Sequence, residues 1–253
     1  MIKQITFSPT GGTRKVADAI SLGICNEVEC IELCASASEI TPITLTKDDV
    51  AIIAAPVYGG RIPALAIERL EAMVKPNGAK CAIVTVYGNR AYDDALLELH
   101  KTCTEMGFHI IAAVGAVAEH SIIHNYGANR PDASDIDELK AFGEKIKAAS
   151  ASSNTLAETA LTGNFPYKKA MAGPNPTASK KCTGCGLCAK QCPVGAIPLT
   201  DLQKVNKDLC ISCMRCISIC PNNARSIGKI MHTMIALAIK KGCAERKQNK
   251  LFI

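Results

Sequence analysis

Several residue types and segment types are scarce or missing in this sequence of 253 residues. It contains no tryptophan, and aromatic residues make up only 4% of the chain, which argues against a lectin-like or other aromatic-rich binding surface. No apolar run reaches the roughly 18 residues that a membrane-spanning helix requires. The first residues lead directly into a predicted strand, without a signal peptide. These absences predict a soluble cytoplasmic protein.

Cysteine, by contrast, is abundant and unevenly placed. Fourteen cysteines would indicate disulfides in a small secreted protein, but a chain of this length without a signal peptide fits a reducing compartment instead. Eight of them lie between Cys182 and Cys220 at regular spacing. The remaining six are predicted to be buried or half-buried thiols: Cys25, Cys30, Cys34, Cys81, Cys103 and Cys243.

Charge divides the chain into two parts. Residues 1–150 contain 14 basic and 19 acidic residues, a net charge of −5. Residues 151–253 contain 15 basic and 4 acidic residues, a net charge of +11. Such asymmetry indicates two modules with different surfaces.

The first 150 residues alternate short apolar runs with helical patterns. Strands are predicted at residues 2–7, 28–33, 50–55, 81–87 and 110–117, and helices near residues 13–24, 63–74, 92–106 and 134–149. Several strands are continuously apolar, which is typical of parallel strands covered on both faces. The pattern predicts an α/β fold with a doubly wound, five-stranded parallel sheet, whose ligands bind beyond the carboxyl ends of the strands.

After residue 150 the pattern changes. Residues 151–179 are interpreted as a linker with a short helix around residues 156–161, residues 180–226 as a small α+β module, and residues 227–253 as a basic C-terminal helix and tail. The apolar stretch 227–239 is interpreted as a helix packed across the two modules with its lysines in water. An interfacial membrane helix is the alternative.

The cysteine-rich module contains one spacing twice, C-x₂-C-x₂-C-x₃-C followed by proline. The first run is Cys182, Cys185, Cys188 and Cys192, and the second is Cys210, Cys213, Cys216 and Cys220. Thiolate sulfur suits iron, and this spacing is that of a bacterial two-cluster site in which the fourth cysteine of each run ligates the other cluster. One 4Fe–4S cluster is therefore assigned to Cys182, Cys185, Cys188 and Cys220, and the other to Cys192, Cys210, Cys213 and Cys216. The alternative is structural zinc, whose sites lack this doubled pattern.

These residues carry a resemblance: positions 180–226 resemble a two-cluster bacterial ferredoxin domain, with every ligand position matched. Such domains are often acidic, whereas this region is strongly basic.

The segment after the first predicted strand reads Ser-Pro-Thr-Gly-Gly-Thr, residues 8–13. It matches neither a nucleotide P-loop nor a dinucleotide-binding fingerprint. A hydroxyl-rich turn at a helix N-terminus offers donors to a monophosphate, although a plain strand–turn–helix cap is the alternative. The segment resembles the phosphate loop of flavodoxins. That resemblance implies FMN, with its phosphate surrounded by Ser8, Thr10, Gly11, Gly12 and Thr13.

Two further loops are those that sandwich the flavin ring in flavodoxin-like folds. The first contains Pro56, Val57, Tyr58, Gly59, Gly60 and Arg61, and the second contains Tyr87, Gly88, Asn89, Arg90, Tyr92 and Asp93. The resemblance implies that Tyr58 and Tyr92 stack on the ring. It also implies that Arg61 and Arg90 place positive charge near it. The alternatives are ordinary loop packing for the tyrosines and solvated surface charge for the arginines.

Two histidines, His120 and His124, follow the fifth strand on the same rim. A proton donor to a bound substrate is one interpretation, and a structural or solvated histidine is the favoured one. No catalytic residue is assigned.

The whole chain resembles a family of flavodoxin–ferredoxin fusion proteins. The resemblance implies an electron-transfer protein that passes electrons between two 4Fe–4S clusters and FMN, and so converts between one-electron and two-electron carriers. The alternative is a flavin-dependent reductase that passes cluster electrons to a quinone, a nitro compound or dioxygen. The expected partners are acidic redox proteins, with no nucleic acid, and membrane association is not favoured.

Overall fold

The computed structural model describes residues 1–35, 39–171 and 173–253, whose helices and strands alternate as expected in the first half. In chain order the elements are β1 (Ile2–Thr6), α1 (Gly12–Ile24), β2 (Val28–Glu32), β3 (Ile43–Thr44), β4 (Val50–Pro56), α2 (Ala64–Met73), β5 (Val74–Lys75), β6 (Lys80–Tyr87), α3 (Ala95–Met106), β7 (His109–Val117), α4 (Ala133–Ser150), β8 (Thr177–Ala178), α5 (Leu187–Lys190), α6 (Arg215–Ser218), β9 (Arg225–Ser226), α7 (Lys229–Cys243) and β10 (Lys250–Phe252). A single 3₁₀ turn, Glu158–Ala160, lies where the short linker helix was expected.

A six-stranded sheet forms the centre of the first module, in the order β10–β7–β6–β4–β1–β2. All neighbouring strands in this sheet pair in parallel, except that β10 pairs antiparallel with β7. Without β10, the strands follow the order 2-1-3-4-5, which is the flavodoxin-like arrangement. The five predicted parallel strands are confirmed close to their expected bounds.

Helices cover both faces of this sheet, as the continuously apolar strands require. On one face α1 and α4 bury a core that includes Val16, Ile20 and Leu139. These two helices approach closely, because a Cβ on Gly143 would lie 2.1 Å from the Ile20 carbonyl oxygen. On the other face, residues of α2 and α3 such as Leu70 and Leu96 pack over β1, β4 and β6.

The sixth strand comes from the far end of the chain. β10 pairs antiparallel with β7, so the segment expected to be a tail completes an edge of the flavodoxin-like sheet. The Asn249 side chain accepts a hydrogen bond from the Val117 backbone N–H, 2.9 Å. The Asn89 amide donates to the carbonyl oxygens of Cys243 and Glu245, at 3.0 and 2.9 Å. The C-terminal segment is thus fastened to the first module.

The second module is built from two similar halves joined by a short antiparallel pair. β8 pairs antiparallel with β9, so residues 177–178, just before the expected start at residue 180, pair with the end of this module. The four-residue helices α5 and α6 each start after a residue in the left-handed conformation, Gly186 (φ 75°) and Met214 (φ 62°). The doubled sequence motif therefore gives a doubled local backbone.

Two expectations are wrong in part. Cys25 and Cys30 are exposed rather than buried, whereas Cys34, Cys81, Cys103 and Cys243 are buried as expected. Helix α7 does not pack across the two modules: Ile230 is 80% exposed and Leu237 66%. Its contacts are with the first module: the Tyr126 hydroxyl donates to the Ala236 carbonyl oxygen at 2.9 Å, and the Asn89 amide donates to that of Cys243 at the end of the helix.

Within the described residues, α7 and every other helix are too short or too polar to cross a membrane.

Candidate functional site

The eight motif cysteines line two separate cavities in the second module. One cavity is lined by Cys182, Cys185, Cys188 and Cys220, and the other by Cys192, Cys210, Cys213 and Cys216. The fourth cysteine of each run thus lies with the first three of the other run, as the crossed assignment expects. Four thiols around one cavity are the donor set that a 4Fe–4S cluster takes, so the residues present fit this group.

Backbone amides are directed at the two crossing cysteines. The N–H of Ala196 donates to Cys192 Sγ and that of Ala224 to Cys220 Sγ, each at 3.3 Å. Hydrogen bonds to sulfur favour the thiolate, which is the form that binds iron. Burial alone would raise the pKa of the Cys220 thiol, but the backbone N–H groups of Ala224, Asn222 and Arg225 lower it.

The other cavity contains more deeply buried thiols. Burial raises the pKa of Cys213 to about 11 and that of Cys216 to about 12. A buried thiolate is costly without a nearby positive charge, and iron supplies such a charge when it binds. No group of three or more His, Cys, Asp or Glu side chains among the described residues converges as a site for one metal ion.

A cleft opens at the carboxyl ends of the parallel strands. Its lining includes Pro9, Thr10, Gly12 and Thr13 from the loop before α1, and Pro56, Val57, Tyr58 and Gly59 from the loop after β4. Tyr87 and Gly88 follow from the loop after β6. Three loops that are distant in sequence meet here because parallel strands end at one edge of the sheet.

The loop before α1 presents the helix N-terminus to this cleft. Gly11 is the N-cap residue and adopts the left-handed conformation, φ 90°, which glycine takes without strain. Because the first N–H groups of a helix have no partner within it, those of Gly12 and Thr13 are placed to bind an anion together with the threonine hydroxyls. Ser8 is buried, and its hydroxyl accepts a hydrogen bond from the Arg14 backbone N–H, 2.9 Å. The donors suit a monophosphate, and Ser8 positions the turn.

In the loop after β4, the residues before and after the two glycines have different surroundings. Tyr58 and Arg61 pair through their backbones, and both Gly59 (φ 61°) and Gly60 (φ 90°) are left-handed, which makes a tight turn. Tyr58 and Gly59 remain at the cleft. Arg61 points away: its guanidinium binds Glu98 at 2.8 and 2.6 Å and lies 4.7 Å from the centre of the Tyr167 ring. The expectation that Arg61 places charge near a flavin does not fit this geometry.

The loop after β6 departs further from expectation. Tyr92 is buried and packs edge-on against Tyr87, with ring centres 5.4 Å apart, so it does not line the cleft. Arg90 forms an ion pair with Asp93, which also binds Lys168 at 2.9 Å. Asn89 holds the C-terminal segment. Of this predicted set only Tyr87 and Gly88 reach the cleft.

The two rim histidines have different surroundings. His120 lines the cleft, and its Nδ1 accepts the backbone N–H groups of Ile122 and Ile123, both at 3.1 Å. Burial, followed by the charges of His124 and Arg90, lowers the pKa of His120 to about 4. His120 is therefore neutral with its proton on Nε2. His124 is exposed, pairs with Glu119 at 2.6 Å and does not line the cleft.

Other lining residues were missed by the sequence argument. Ala118, Glu119, Ser121 and Ile122 follow β7, and strand-end position alone could have indicated them. Met171 and Gly173 of the linker, and Ile211 and Ser212 of the second module, also line the cleft. No local pattern marks these four.

Comparison with known proteins identifies relatives of each module. Residues 181–224 match the family model described as a 4Fe-4S dicluster domain. Over 44 residues the chain is 43% identical to one component of the ion-translocating oxidoreductase complex of Methanosarcina acetivorans, a match that covers 17% of each protein. The chain thus spans about a sixth of the length of that curated relative.

Solved structures similar to the first module include flavodoxins and oxidoreductases. A flavodoxin from the domain Archaea is 19% identical with a TM-score of 0.43, over 60% of this chain and 100% of that chain. Megasphaera elsdenii flavodoxin is 18% identical with a TM-score of 0.40, over the same shares. Rubredoxin oxygen:oxidoreductase from Desulfovibrio gigas is 16% identical with a TM-score of 0.42, over 59% of this chain and 36% of that chain.

Because these scores are low, the fold assignment rests on the strand order. The chain joins a flavodoxin-like α/β domain to a 4Fe–4S dicluster domain. The cleft lies at the strand ends of the flavodoxin-like domain and is also lined by residues of the linker and the dicluster domain, whereas the two cysteine-lined cavities lie in the dicluster domain.

Proposed function

We propose that this protein binds one FMN and two 4Fe–4S clusters and transfers electrons between them and other redox proteins. The observation that carries the proposal is the meeting of a flavodoxin-type cleft with a cysteine-lined cavity at the Ile211–Ser212 segment. When bound, FMN exchanges one or two electrons and each cluster exchanges one, which suits a converter between the two kinds of carrier.

The residues of this chain have defined tasks in the proposal. Thr10, Thr13 and the first N–H groups of α1 bind the flavin phosphate. Tyr58 and Gly59, with Tyr87 and Gly88, border the ring. The eight motif cysteines hold the clusters, four from the two runs around each cavity.

The reductase alternative requires a proton donor to a small acceptor in the cleft. His120 is the histidine that lines the cleft, and its pKa of about 4 leaves its imidazole neutral at physiological pH. A neutral imidazole donates a hydrogen bond but is a weak acid. This argues against His120 as the proton donor of the reductase alternative.

The test is the cofactor content of the anaerobically reconstituted protein. We expect one FMN, equal amounts of iron and acid-labile sulfide, and about eight iron atoms per chain. The Cys220→Ala variant should lose the cluster held by the first run, and Cys192→Ala the other. Electron paramagnetic resonance of the reduced variants distinguishes the two. Stoichiometric zinc without sulfide would contradict the cluster assignment.

A further inference from the structure

We propose that the loop between Cys210 and Cys213 forms one wall of the flavin site, so that the second-run cluster lies beside the flavin and the first-run cluster lies away from it. This inference deepens the proposed function and rests on its FMN site. It assigns a binding role to Ile211 and Ser212, two residues of the dicluster domain.

Both residues belong to the cleft, and one of them belongs to a second site as well. Ile211 and Ser212 line the cleft at the strand ends, together with Thr10, Thr13 and Tyr58. Ile211 also lines the cavity of the second-run cysteines. The same short segment is therefore in contact with the place proposed for the flavin and with the place proposed for one cluster.

The wall is anchored to the flavodoxin-like domain. Ile211 packs against the buried core of that domain. The Arg215 guanidinium donates to the Pro9 carbonyl oxygen in the phosphate loop, 3.3 Å. From the other direction, the buried Arg69 of α2 donates to the Pro193 carbonyl oxygen, 2.6 Å. These contacts hold the loop at the cleft.

Two residues of the linker contact the loops that line the cleft. A Cβ on Gly173 would lie 2.5 Å from Ser212 Cβ, so the two residues are in close contact. A Cβ on Gly59 would lie 2.9 Å from the Met171 nitrogen. Linker residues therefore bridge the cluster loop and the loop after β4.

The first run provides an internal comparison. Thr183 and Gly184 occupy the positions that Ile211 and Ser212 occupy in the second run, and Gly184 shares the left-handed conformation of Ser212, with φ 77° against 53°. Thr183 is exposed and lines the first-run cavity, which is bordered by dicluster-domain residues. A Cβ on Gly184 would meet nothing within 4 Å. The two halves share a backbone, but the second faces the cleft.

An Ile211→Trp variant tests the wall, with Thr183→Trp as the matched control. Both are made in the full chain and reconstituted anaerobically, and FMN affinity is measured by fluorescence titration beside iron and sulfide content. The added ring at Ile211 should fill part of the cleft and weaken FMN binding at least tenfold, with iron retained. Thr183→Trp should leave FMN affinity within about twofold of the original, a difference of less than about 0.5 kcal/mol.

The outcomes separate this inference from the proposed function. If the unmodified protein does not bind FMN, the proposed function fails. If the unmodified protein binds FMN and the Ile211→Trp variant binds FMN equally well, the loop between Cys210 and Cys213 does not form a wall of the flavin site. Should Ile211→Trp lose iron, Ser212→Asn repeats the test, because asparagine tolerates the left-handed backbone. Unchanged FMN affinity in an iron-loaded Ser212→Asn protein would also overturn the inference.

Discussion

His120 is the cleft residue whose protonation state the structure defines most closely. Two backbone N–H groups bind its Nδ1, which leaves Nε2 as the protonated nitrogen. Its ring also covers Gly88, where a Cβ would lie 2.6 Å from His120 Cδ2. The residue is therefore fixed as a neutral hydrogen-bond donor at the rim of the cleft.

The first prediction follows from this environment. The pKa of His120 is lowered from the usual 6.5 to about 4, so its imidazole should show no titration between about pH 5 and 8. The unfolded chain takes up this proton first, so His120 lowers the stability of the fold as the pH falls from 6.5 towards 4.

Proton NMR of the ring signals measures the titration. The His120 ring signal is the one that disappears in a His120→Gln variant. In the control variant, His124→Gln, that signal should remain. A midpoint near 6.5 would contradict the prediction.

At the residue scale, sequence reasoning located loops better than side chains. Tyr58 and Tyr87 reach the cleft because each lies at or just beyond the end of a parallel strand. Arg61 and Tyr92 do not, because Glu98 and the Tyr87 ring are nearer partners. Motif spacing carries no information about such competing contacts.

At the scale of elements, the junction of β1 with α1 is the best-defined part of the flavin site. Thr13 is buried and lines the cleft in the first turn of α1. Thr13→Ala should remove one hydrogen bond to a charged phosphate, which contributes about 1.5–3 kcal/mol. FMN affinity should fall roughly 10- to 100-fold with iron content unchanged. Thr104→Ala, on the exposed surface of α3, is the control. Equal affinity in both variants would place the phosphate elsewhere.

A second element-scale prediction concerns the fastening of the C-terminal segment to α4. The Asp135 carboxylate binds Arg130 at 2.8 and 2.5 Å and also Arg246 and Asn249. Burial alone would raise its pKa, but the Arg130 hydrogen bonds lower the pKa of Asp135 to about 2. Its contribution to stability is therefore present above about pH 3.8 and is lost as the pH falls through 2.

Removing this carboxylate leaves Arg130 buried and without its main partner. Asp135→Ala should lower the free energy of unfolding by about 3–5 kcal/mol, measured by denaturant unfolding near neutral pH. Asp137→Ala, an exposed position on the same helix, should change it by less than about 0.5 kcal/mol. Similar losses in the two variants would show that the ion pair is not the cause.

The five parallel strands and four long helices of the first module were predictable because their periodicity is local. Strand β10 was not, because a short edge strand is defined by its pairing with β7, which is distant in sequence. The grouping of the eight motif cysteines around two cavities was predictable from motif spacing. The docking of the dicluster domain was not, since it depends on single contacts such as Arg69 with Pro193.

At the scale of the whole molecule, charge separates the two domains. The dicluster domain carries exposed lysines at Lys180, Lys181 and Lys190, near in sequence to the exposed Cys185 of the first run. If the second-run cluster lies beside the flavin, the first-run side is where a partner can approach. Its surface should then attract an acidic protein.

The last prediction is that reduction by an acidic two-cluster ferredoxin slows as salt rises. Exposed charges are screened over about 8 Å at physiological ionic strength, so steering by these lysines should weaken there. Replacing all three lysines by glutamate should lower the association rate about tenfold or more at low salt and flatten its salt dependence. The matched control replaces Lys140, Lys145 and Lys147 of α4, which are also exposed but belong to the flavodoxin-like domain. Stopped-flow absorbance measures both rates. An equal loss in the two triple variants would mean that net charge matters rather than this surface, and a salt-independent rate would exclude electrostatic docking altogether.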